Sequence, residues 1–409
     1  MHKFWRVFVV ATMSCWLWCS LVFSGTENIR NVTLTWQETP QTSQTITWQT
    51  DANVKNGWVE YSEADSTDIA VAAVPRIKAE SQLFTTDART NIIHSVTLRN
   101  LKPGTRYVYR IGSGDVGDYD GMFHTEIATE PFKFLIFGDS QSLDYKVWQD
   151  TFNAAYRMGI GARFFVNMGD LVDNGQRQQE WDGWFAGIKR HSGKMAIVPV
   201  VGNHETYTID RKFAMPKEFT QQFYVPQNGP DGLKGQVYSF DYGNVHFVIL
   251  DTQLGEERSF LPDSLDRQIA WLKQDLAATT KHWKVVFMHR PIYHNRLNVD
   301  SPSSLVAFAP IFDDYGIDVV FSGHDHVNAR TMKLKGGLPS SVGTVYATTG
   351  RSGTKTYSDV GKKSWNEQFI NLLDEPTYSI VAVNGNVLLV QVFTQTGKLV
   401  DDWSLMKLE

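Results

Sequence analysis

From Pro131 onward the chain alternates short, nearly continuous apolar runs with stretches of helical spacing, and this alternation constrains the fold more than any other feature. The runs are Phe132 to Phe137, Phe164 to Met168, Ile197 to Val201, His246 to Leu250, Val285 to Met288, Val319 to Phe321 and Val345 to Ala347. Runs of this length, apolar at nearly every position, mark strands covered on both faces. Between Asp263 and Thr280, Leu265, Ile269, Leu272 and Leu276 fall on one helical stripe. Strands return at Tyr378 to Val383 and Val387 to Phe393. The expectation is an α/β domain over 131–409, a β-sheet sandwich flanked by helices.

Before Pro131 the period changes to two. Val32, Leu34 and Trp36 alternate with polar residues, as do Ile46 and Trp48, and later Tyr107, Tyr109 and Ile111. Turn residues separate these stretches at Pro40 to Ser43, Asp51 to Gly57 and Lys102-Pro103-Gly104. Residues 27–128 therefore read as an all-β sandwich of half-buried strands. The segment Leu101 to Tyr107 resembles the late-strand turn of fibronectin type III domains. His94 and His124 stand alone here, with no catalytic constellation around them.

The first 24 residues read as an export signal. Lys3 and Arg6 precede an uncharged apolar run from Val7 to Phe23, short for a membrane span, with a cleavage position after Ser24. An uncleaved anchor is the alternative. Cys15 and Cys19 both lie in this segment, so the mature chain would have no disulfide and no thiolate ligand. The expected location is secreted, periplasmic or cell-surface, with no stable membrane span after cleavage. A net charge of -5 on 409 residues gives no sign of a nucleic-acid binder.

The chemistry stands at the ends of the apolar runs. They lead into Gly138-Asp139-Ser140-Gln141, Gly169-Asp170-Leu171-Val172-Asp173-Asn174, Gly202-Asn203-His204-Glu205, His289-Arg290-Pro291 and Gly323-His324-Asp325-His326. Ligands of open α/β sheets bind at the carboxyl ends of the strands. Carboxylate, amide and imidazole donors together suit divalent ions such as Mn, Fe or Zn.

These motifs resemble, in composition and order, those of the calcineurin-like metallophosphoesterases. The β-sandwich in front resembles the arrangement in purple acid phosphatases. The resemblance implies two divalent metal ions (Mn, Fe, Zn or Mg), with Asp170 bridging them. Asp139 and His326 would hold one ion; Asn203, His289 and His324 the other. It implies hydrolysis of a phosphorylated small molecule by metal-activated water. His204 would be the general acid, oriented by Glu205, while Arg290 and His294 would reach substrate oxygens.

Two positions depart from the pattern. Purple acid phosphatases carry a tyrosine ligand three residues after the second Gly-Asp, and here that residue is Asp173. Many relatives carry a histidine two residues after the first Asp, and here it is Gln141, which either coordinates a hard cation or orders a water or a neighbouring loop. Without the phenolate a colourless or pale protein is expected, unless another tyrosine such as Tyr145 fills the role. A phosphodiesterase or nucleotidase on the same centre, and a non-catalytic surface-binding protein, are the competing readings.

Overall fold

The computed structural model describes residues 29–64, 74, 76–113, 116–129, 131–298 and 305–408. The expected leader and both cysteines lie outside these residues.

The N-terminal part is a β-sandwich of two four-stranded antiparallel sheets. One sheet orders Arg30–Thr35, Gln44–Asp51, Thr90–Leu98 and Glu80–Thr85; the other orders Ile77–Lys78, Gly57–Glu63, Arg106–Ser113 and Val116–His124. Ile46, Trp48, Val59, Tyr109 and Ile111 meet in its core. His94 is an ordinary core histidine, bonded to Thr50 Oγ1 and Ser81 Oγ at 2.8 Å each and stacked on Trp48.

The first sheet departs from the expected alternation. Thr33, Thr35, Thr45, Thr47 and Gln49 are as buried as the apolar residues between them. The reason is a second contact surface, on the α/β part. Thr35 donates to the Tyr224 carbonyl and Gln49 to Gln222 Oε1. Trp36 lies among Phe164, Phe240 and Tyr242, with ring centroids 5.6–5.8 Å away. A bidentate Arg89–Asp182 pair closes the edge of the contact.

The α/β part has two sheets. A six-stranded sheet orders Ala196–Pro199, Ala162–Asn167, Phe132–Phe137, Thr377–Asn384, Val387–Thr394 and Leu399–Met406, the first three parallel. A seven-stranded sheet orders Tyr238–Tyr242, Val245–Leu250, Trp283–Met288, Val319–Ser322, Val345–Thr349, Asn328–Thr331 and Asn366–Ile370, with the second to fifth parallel. The apolar runs are explained by what covers each face. Phe134 of the first sheet meets Phe247 and Phe287 of the second edge to face at 5.5 and 6.2 Å. Phe137, pointing the other way, meets Trp148 and Phe152 of the helix Tyr145–Met158. On the second sheet's outer face, Leu272 and Leu276 of the helix Ser264–Ala278 join Val286 and Met288. Leu265 and Ile269 complete that stripe partly buried. Among the described residues no helix is long and apolar enough to cross a membrane.

Candidate metal centre

The loops leaving Phe132–Phe137, Ala162–Asn167, Ala196–Pro199, Trp283–Met288 and Val319–Ser322 converge. Their convergence requires backbone approaches that side chains would block. A Cβ on Gly169 (φ +88°) would sit 2.6 Å from His289 Nδ1, and one on Gly202 would sit 2.2 Å from the Asp170 amide nitrogen. Asp170, His324 and His326 themselves adopt φ of 49°, 68° and 57°. Such left-handed backbone in non-glycine residues gathers at functional sites, where the surrounding structure holds it.

Two groups of side chains result. In the first, His289 Nε2 lies 3.1 Å from Asn203 Oδ1, 3.3 Å from Asp170 Oδ2 and 3.2 Å from His324 Nδ1. In the second, His326 Nε2 lies 3.0 Å from Asp139 Oδ2 and 3.4 Å from Gln141 Nε2. The tautomers follow from the outer nitrogens. His289 Nδ1 donates to the Met168 carbonyl and His326 Nδ1 to the Lys355 carbonyl, each at 2.7 Å. In its neutral form His289 therefore turns a lone pair toward the Asn203 and Asp170 oxygens, and His326 turns one toward Asp139 Oδ2. Gln141 Oε1 is buried and accepts no hydrogen bond. Acceptors facing acceptors in a buried space are the donor set of a cation. Burial opposes charge on Asp170, but the neighbouring His289, His204 and His324, when protonated, outweigh it and hold the carboxyl well below the usual carboxylate range.

Glu205 does not orient His204. Its carboxylate accepts from the backbone N–H groups of Asp170, Leu171, Val172 and Gly202, at 2.7–3.3 Å. Burial and the Asp170 charge push its pKa up, and these donors pull the other way. Its work is to tie the second motif to the third. Asp173 holds His204 instead: its carbonyl accepts from Nδ1 at 2.7 Å, and its Oδ1 stands 3.2 Å from the same nitrogen. Asp173 Oδ2 is paired with Arg211 at 2.7 Å.

Arg290 is not free to roam. Glu256 grips its guanidinium at 2.7 and 2.9 Å, and Thr252 Oγ1 accepts from its amide. Arg290 and His294 nevertheless line a cleft of about 630 Å³ that reaches His324, with Phe213, Leu254 and Pro291 on its apolar side. Sequence reasoning missed Lys355, whose ammonium lies 3.0 Å from His204 Nε2. It also missed Tyr357, whose ring centroid is 4.4 Å from that of His326 with Arg296 stacked over it. Neither residue stands in a motif; the Gly350-Arg351-Ser352-Gly353 turn just upstream is the one signal pointing toward them.

Sequence families match this geometry in two blocks. Residues 29–134 match the purple acid phosphatase N-terminal domain, and residues 132–328 match the calcineurin-like phosphoesterases. Residues 132–328 thus form a calcineurin-like phosphoesterase domain. The chain is a hydrolase of the phosphatase kind. Purple acid phosphatase 23 of Arabidopsis thaliana is 27% identical over 316 residues, covering 68% of this chain and 67% of the relative. A purple acid phosphatase of Glycine max is 25% identical over 339 residues, covering 78% and 71%. The structure of purple acid phosphatase PPD1 from yellow lupin (Lupinus luteus) seeds shares the fold, with a TM-score of 0.78 at 17% identity over 93% of this chain and 74% of that one.

Proposed function

We propose that this calcineurin-like phosphoesterase is an exported phosphomonoesterase working with two divalent ions. The observation that carries the reading is the pair of buried clusters around His289 and His326, in which side-chain oxygens converge on ring nitrogens whose far sides are already bonded to backbone carbonyls. Asp139, His326 and Gln141 would hold one ion; Asn203, His289 and His324 the other; Asp170 would serve both. The orphaned Gln141 Oε1 favours coordination over the ordering of a loop. Bound ions of this kind supply an activated water and charge neutralisation on a phosphoryl group. The chain's own residues do the rest. His204, fixed by the Asp173 carbonyl, directs Nε2 to the same side as Asp170 Oδ2, 3.8 Å away, where the ring in its doubly protonated form would give the Nε2 proton to a leaving oxygen. The cleft beside His324 takes the organic part of the ester. The Val7 to Phe23 run supports export.

Metal analysis of the purified chain, with phosphomonoester and phosphodiester assays in Mn, Fe, Zn and Mg, tests this reading. About two ions per chain and faster turnover of monoesters are expected; a metal-free protein with full activity would sink it. The iron-loaded protein should be colourless or pale, since Asp173 is engaged by Arg211 and supplies no phenolate. The tyrosine to use as a control is Tyr357 rather than Tyr145, because Tyr357 touches His326. Burial pushes the Tyr357 hydroxyl up to about 12 and keeps it a neutral phenol. A strong visible band lost in Tyr357→Phe would assign the missing phenolate to that residue.

A further inference from the structure

The loop that follows Val345–Thr349 is stitched to the first motif. Ser352 and Gly353 donate their amides to the Asp139 carbonyl at 2.9 Å each, Ser352 Oγ donates to the Gly138 carbonyl at 2.6 Å, and Thr354 donates to the Gln141 carbonyl at 3.3 Å. This loop delivers Lys355, whose two ends do different things. Its carbonyl fixes the tautomer of His326. Its ammonium reaches across to the third motif and donates to His204 Nε2 at 3.0 Å. The side chain is about one-third exposed, so the charge stands at the mouth of the cluster rather than in bulk solvent.

Among the described residues that ammonium has few partners: His204, the more distant Asp173 and the face of Tyr357. It carries three donors. His204 takes one, and Asp173 Oδ1, at 3.8 Å, is beyond hydrogen-bond length and already beside His204, while Arg211 holds Asp173 Oδ2. A partly desolvated cation with spare donors is a receptor for an anionic oxygen. Its neighbour is the imidazole that faces Asp170.

We propose that Lys355 is a catalytic residue that binds a phosphoryl oxygen alongside His204. The imidazole then serves the leaving oxygen, and the ammonium serves the charge that accumulates on the phosphoryl group. The inference rests on the reading of the acceptor clusters as a metal centre.

The test uses the full chain, metal-loaded, with inorganic phosphate as the probe. Lys355→Met removes the charge but keeps the carbonyl that His326 needs. Its metal content should equal wild type. Phosphate affinity measured by calorimetry should fall on the order of tenfold, and kcat on the order of 10²-fold. Lys355→Arg should recover part of both. Unchanged phosphate affinity in a fully metallated Lys355→Met protein overturns the proposal, and so does loss of metal, which would make the residue a positioning one. A wild-type chain that takes up no metal fails the underlying reading and this inference with it.

Discussion

The two sheets of the α/β part contribute unlike halves of one site. The six-stranded sheet sends Asp139, Asp170 and Asn203 from the ends of three neighbouring parallel strands, all oxygen donors. The seven-stranded sheet sends His289, His324 and His326, all imidazoles. Neither sheet carries a complete donor set. The centre is a joint whose geometry depends on how the sheets lie against each other, and that is fixed by the phenylalanine layer between them. A site divided this way is assembled only when the whole domain is folded.

Removing the residue shared by both clusters should have the largest effect. Asp170→Ala should abolish activity and deplete both ions; full metal content with normal turnover would mean that the two clusters hold their ions without a shared carboxylate. His204→Ala should lower turnover by about 10²–10⁴-fold with metal nearly intact, and less for substrates with good leaving groups. Equal loss on good and poor leaving groups would remove the acid role. A change in the layer between the sheets should come next. Phe287→Ala, buried against Phe134, Phe247 and Phe321, should cost about 3–5 kcal/mol of stability by chemical denaturation. It should also weaken metal retention although it touches no ligand. Stability lost without any change in metal affinity would show that the halves meet independently of the layer.

The smallest effect concerns a histidine outside both clusters. His246 is clamped between Asp241 at 2.7 Å and Asp275 at 2.9 Å. Burial opposes its charge, but the two carboxylates win and raise its pKa from 6.5 to about 9. Its folded pKa exceeds its unfolded one, so its stabilisation is complete below pH 6.5 and is lost as pH rises through about 9. The melting temperature should drift down over that window, and less so in His246→Gln. An identical drift in the variant would assign it to other groups.

Much of this was legible in the sequence because strand and motif coincide. A covered parallel strand leaves an apolar run, and the turn that aims its last residue needs a glycine, so run, glycine and donor appear together as they do at Gly138-Asp139 and Gly323-His324. The strands Phe132–Phe137 and Val319–Ser322 begin where their runs begin. What stayed hidden depends on partners remote in sequence. Adjacency suggested that Glu205 serves His204, yet in the tight turn His204–Thr206 the two side chains serve different neighbours. Arg290 looked available to substrate because nothing in its motif announces Glu256. Arg330, just past the Gly-His-Asp-His motif, is paired with Glu367 and Asp401. Lys355 approaches His204 through a loop with no periodicity of its own.

Trp36 has a consequence for how the chain is made. Its aromatic neighbours Phe164, Phe240 and Tyr242 lie far downstream, and synthesis proceeds from the N-terminus at about 5–20 residues per second. A sandwich that closes as it emerges waits on the order of ten seconds or more with that indole uncovered. A ribosome stalled before Phe240, or a chain cut off there, would present a sticky patch to its neighbours, and one held unfolded until its last strand is complete would not.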